Sequence, residues 1–142
     1  MNDDEHLRRF EDQSLPHAEW HHRAHLKVAY LYLNRLSYEE TLAKLQTGIR
    51  TYNAAHGIVD SPTSGYHETL TQAWLRLVHT MLCQFGPAES ADAFFDAQSQ
   101  LMEKRVVLLF YSRDRIMSVE ARAGFVEPDL APLPQPLHQK AP

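Results

Sequence analysis

The 142-residue chain is 44% apolar and 23% charged with a formal charge of −4, the balance of an ordinary globular domain able to close one hydrophobic core. It has no basic block that would give nucleic acid an electrostatic footprint, and no stretch nears the about 20 apolar residues that a membrane-spanning helix needs. The start Met1-Asn2-Asp3-Asp4-Glu5 lacks the basic-then-apolar plan of a secretory signal, and a single cysteine, Cys83, excludes an internal disulfide framework.

These features predict a cytoplasmic protein with no nucleic-acid or membrane partner, in which Cys83 packs along a helix. Residues 3–11 read as a short amphipathic helix, with Leu7 and Phe10 three apart, interrupted by Ser14-Leu15-Pro16. A long helix is predicted from His17 or Ala18 to Leu36. Its apolar arc holds His22, Leu26, Ala29, Leu33 and Leu36, with His25 toward the rim and His17 and His21 solvated. Ser37 then caps a second long helix with Glu39 and Glu40 in its first turn, where the dipole favours acids. Leu42, Leu45, Ile49 and Tyr52 make its stripe, His56 suits its last turn, and Gly57 stops it.

Residues 57–65 are rich in turn formers and form a loop expected to arch over one end of a bundle. Tyr66-His67-Glu68-Thr69 opens a third helix reaching Phe85, with Leu70, Trp74, Leu77, Val78 and Met81 on the arc that also holds His67. Thr63, Ser64 or Gly65 is its expected cap. A fourth helix starts near Glu89 or Ser90 and carries Phe94, Phe95, Leu101 and Met102. The run from Val106 to Tyr111 is read as helix, since a lone strand would have no partner for its backbone. Short capped turns follow at 112–115 and 118–122. Prolines at 128, 132, 134, 136 and 142 then predict an extended tail, mobile toward its end. The expected architecture is an all-α bundle of four or five helices, a single domain over 1–127 with a proline-rich tail over 128–142.

Chemistry concentrates in the histidines. His22-x-x-His25 stacks two imidazoles on one helical face, and His67 on another helix would complete a three-nitrogen face with coordination positions left open. Such a site suits a divalent transition metal, with zinc, iron, manganese and nickel all compatible. Glu68 points about 100° round from His67 and so fits an acid-base role on metal-bound water better than a ligand role. Arg113 and Arg115 beside Ser112 could hold a carboxylate or phosphate, but a solvated turn is the simpler reading of them.

The motifs His22-x-x-His25-Leu26, Tyr66-His67-Glu68-Thr69 and Ser118-x-Glu120-Ala121-Arg122 ahead of Pro128-Asp129 resemble an uncharacterised group of small bacterial helical proteins. The architecture is also similar, more distantly, to the DinB/YfiT metal-binding four-helix bundles. That family sets its paired histidines late in the chain, whereas here the pair comes early, so the likeness is one of architecture. The resemblance implies a histidine-bound metal inside the bundle. The expectation is a divalent-metal-dependent enzyme acting on a small molecule, hydrolytic or oxidative. The alternative is a non-catalytic metal- or ligand-binding module, with a homodimer or partner contact along an apolar seam of the 106–111 run and the tail.

Overall fold

The computed structural model describes residues 1–136. Within them all regular structure is helical: α1 (Asp3–Glu11), α2 (His22–Leu33), α3 (Tyr38–Ala55), α4 (Glu68–Phe85), α5 (Ala91–Ala97) and the single turns α6 (Arg113–Ile116) and α7 (Val119–Ala123). Three 3₁₀ segments, His17–Glu19, Ser99–Met102 and Lys104–Leu109, join them. Among the described residues there is no strand, only an isolated bridge between Ser61 and Ser64. The all-α expectation therefore holds. No described helix is long and apolar enough to cross a membrane.

Helix α2 is the axis of the bundle, packing against α1, α3, α4 and α5. That explains why Ala24, Leu26, Val28, Tyr30, Leu31 and Tyr32 are all buried although they circle the helix, while its cations Arg23 and Lys27 pair with Asp92 of α5. The expected single arc was too narrow for this reason. The helix also begins later than expected: Trp20 and His21 leave helical geometry (ψ 73° and −176°), so His17 belongs to a separate 3₁₀ turn. The core around α2 takes Phe10, Leu15, Tyr52, Leu75, Phe94 and Phe95, all almost wholly buried.

Local signals fix the other ends. Ser37 and Glu40 close a capping box at α3: the Ser37 hydroxyl accepts from Glu40 N–H at 3.1 Å and Glu40 accepts from Ser37 N–H at 3.0 Å. His56 caps the far end, its ring stacked on Tyr52 and its Nε2 donating to Gln13 O at 2.8 Å. Ser90, Ser112 and Ser118 cap α5, α6 and α7. The cap of α4 is none of the three expected residues but His67, whose Nδ1 accepts from Leu70 N–H at 3.0 Å.

From Gln98 to Tyr111 the chain runs in 3₁₀ turns, not in the α-helix read from its apolar run. With three residues per turn, Val107 is buried while Leu109 is left 66% exposed. This stretch and the start of the proline-rich segment form a small second core of Ala73, Val107, Tyr111, Ile116 and Leu133. The segment is fastened there: Leu130 N–H donates to Phe110 O at 2.9 Å, and Asp129 accepts from Ser112 N–H (2.8 Å) and Oγ–H (2.6 Å). Residues 137–142, where mobility was expected, lie outside the described residues.

The 57–65 loop closes on Gly65, which adopts φ +89° beside Asp60. A Cβ there would fall on the Asp60 carboxylate and lie 2.7 Å from its Cα, displacing the acceptor of Tyr66 N–H. Gly65→Ala should cost about 1–2 kcal/mol through the positive φ and the lost turn bond, read as a shift in urea midpoint at constant slope.

Candidate functional site

Between α2, α3 and α4 lies a cavity of about 700 Å³, within the range of small-molecule sites. Its walls are largely apolar, built from Leu26, Leu45, Ile49, Leu70, Trp74 and Leu108. Ile58 and Gly65 of the loop and the 104–117 stretch complete the lining. His21, Lys104, Arg105, Arg113 and Met117 line it and are solvent-exposed, so they form its rim. Both tryptophans of the chain, Trp20 and Trp74, are in the wall.

The three histidines singled out by spacing all line this one cavity, but each is held differently. The His22 ring sits edge-on to Trp74 with centroids 4.5 Å apart, and its Nε2–H donates to Leu101 O at 2.9 Å. Burial holds its pKa below the ordinary 6.5, against the Leu101 bond, which acts the other way. His25 lies over the Trp20 ring at 3.8 Å between centroids. Its Nε2 is buried and has no hydrogen-bond partner among the described residues. Burial, reinforced by the positive charge potential of His22, His21 and Lys104, pushes its pKa down to about 3. His25 is thus enclosed, although the helical wheel set it at the rim.

His67 uses both ring nitrogens. Nδ1 caps α4, which requires the Nε2–H tautomer, and Nε2–H donates to Ile116 O at 2.8 Å. Burial lowers its pKa, so the ring is neutral, as both bonds demand. A metal at His67 would have to break one of them. Among the described residues no three histidine, cysteine, aspartate or glutamate side chains stand in an arrangement that could hold a metal ion. The rings share a wall without presenting three free nitrogens to one point.

Glu68 lies outside the cavity wall. Its carboxylate accepts from Tyr66 O–H at 2.7 Å, Gln72 Nε2 at 2.6 Å and Gln46 Nε2 at 2.8 Å, with Arg50 4.0 Å away. Burial alone would raise its pKa, but these donors and the guanidinium outweigh it and keep the group ionised below the ordinary value. Arg50 also stacks over the Tyr66 ring at 4.2 Å. The cluster clamps the start of α4 to α3, and its acceptor positions are spent on that task.

The rim carries little local signal in the sequence. Arg113 lines it, whereas Arg115 turns away and donates through Nε to Glu127 O. Lys104 carries no sequence signal at all, because its place follows from the path of the 3₁₀ segment across the cavity. The arrangement defines a class: an all-α protein with an open-mouthed, ligand-sized cavity rimmed by cations. Compared with known proteins, the chain matches no family model, no curated protein and no solved structure at a significant level.

Proposed function

We propose that this protein is a small-molecule-binding helical module whose ligand occupies the cavity between α2, α3 and α4. One observation carries the reading: a largely apolar cavity of about 700 Å³ whose wall holds His25 with a buried, unpartnered Nε2. Leaving such a nitrogen unpaired costs about 1–3 kcal/mol, which a ligand hydroxyl or carbonyl would offset. The groups best suited to chemistry are otherwise engaged: His22 and His67 donate to backbone carbonyls, and Glu68 is held by four neighbours. This favours retention of a ligand over its conversion, and of the three histidines that the spacing marked out for a divalent metal it uses the free nitrogen of His25 alone.

The test is calorimetric titration of the full chain with 2-naphthol, a flat probe bearing one hydroxyl. The expected result is saturable one-to-one binding that Leu70→Trp weakens by at least about tenfold, since Leu70 is half-buried in the wall and tryptophan fills the space. Circular dichroism checks that the variant keeps its helix content. No saturation, or equal binding to the filled variant, would sink the reading. Zinc ion alone is the second titrant. Stoichiometric zinc binding that His25→Ala abolishes would instead favour the divalent-metal site.

A further inference from the structure

Resting on that reading of the cavity, we propose that the ligand is an organic anion, its apolar body inside and its carboxylate or phosphate-ester group held at the rim by Lys104 and Arg113. The overall charge of the chain is −4, yet among the described residues no aspartate or glutamate lines the cavity. The charged side chains that do are Lys104, Arg105 and Arg113, with His21 beside them. Arg105 is already paired, its Nε donating to Glu103 Oε1 at 2.8 Å. Lys104 and Arg113 form no ion pair within the described residues, so their charges are available to a bound group.

The segregation has physical consequences. An apolar-walled mouth with one sign of charge focuses the local field and favours entry of the opposite charge even on a protein of like net sign. An ammonium-bearing ligand would meet two uncompensated cations; a neutral one would gain nothing from them. Lysine offers a mobile point charge and arginine a planar fork, a pair that accommodates either a carboxylate or a phosphate ester. The positive rim also bears on the histidines: Lys104 disfavours protonation of both His22 and His25, and an anion seated at Lys104 would cancel part of that field. The rim therefore selects the head group, and the apolar wall with His25 selects the body.

Four probes sharing one body test this: 2-naphthoate, 2-naphthyl phosphate, 2-naphthalenemethanol and 2-naphthylmethylammonium, each titrated into the full chain at low and at physiological salt. The two anions should bind at least about tenfold more tightly than the alcohol, the ammonium weakest, with the spread narrowing as salt rises. Lys104→Glu with Arg113→Glu, both at exposed positions, should reverse the order of the anions and the ammonium relative to the alcohol. Equal binding of anion and alcohol to the wild type would overturn the anion assignment and leave the cavity reading intact. An anion preference that survives the double substitution would overturn the roles of Lys104 and Arg113. Failure of all four probes to bind would overturn the cavity reading and this inference with it.

Discussion

Replacing His67 by alanine is expected to lower stability by about 2–4 kcal/mol. Two losses add. The first is the cap: Leu70 N–H loses Nδ1 as its acceptor, a cost of about 1 kcal/mol for a helix N-terminus. The second is the bond to Ile116 O, a carbonyl 49 residues away that anchors α6 beside α4; stripping a buried carbonyl of its donor costs about 1–3 kcal/mol. His67→Asn keeps a capping oxygen but cannot reach Ile116, so it should recover about 1 kcal/mol of the loss. Urea unfolding followed by helix signal measures all three chains. If His67→Ala is stable to within about 0.5 kcal/mol of the wild type and loses only a bound ion, then the side chain is a ligand and not a clamp.

Acidification from pH 7.5 to 5 is expected to lower stability by about 2–4 kcal/mol, most of it through His25. Its folded pKa is depressed from the ordinary 6.5 to about 3 by burial, and His6, His22 and His67 are depressed by burial too. A group with a depressed folded pKa binds protons more readily when unfolded. Its contribution is complete above about pH 6.5 and is lost as pH falls toward the folded value, with His25 alone accounting for about 2 kcal/mol by pH 5. The carboxylates with lowered pKa, such as Glu68 and Asp92, act in the same direction but below their ordinary values near 4, outside this window. His25→Leu should therefore flatten the profile between pH 7.5 and 5 by about 2 kcal/mol. A wild-type profile flat across that interval would show that His25 is not held neutral.

Wherever one residue and its near neighbours suffice, the sequence determined the outcome. Ser37 with Glu40, Ser90, Ser112 and Ser118 are caps because a short hydroxyl reaches an amide three residues on whatever the rest of the chain does. Gly57 and Gly86 end helices because positive φ suits glycine. Periodicity also brought His22, His25 and His67 to a common interior, since each lies on or beside an apolar face.

Only the tertiary structure decided what those histidines do there. A neutral imidazole is donor on one nitrogen and acceptor on the other, so its role depends on which carbonyl waits opposite. For His22 that carbonyl is Leu101, 79 residues on; for His67 it is Ile116; for His25 no partner is present among the described residues. Those carbonyls are placed by the 3₁₀ path from Gln98 to Tyr111 and by the anchored segment at Leu133, whose local patterns read as an α-helix and an extended tail. The same path sets Lys104 and Arg113 on the rim. Helix ends and buried faces follow from interactions spanning one turn, while the cavity and its charged mouth arise from contacts across the whole chain, which no local spacing encodes.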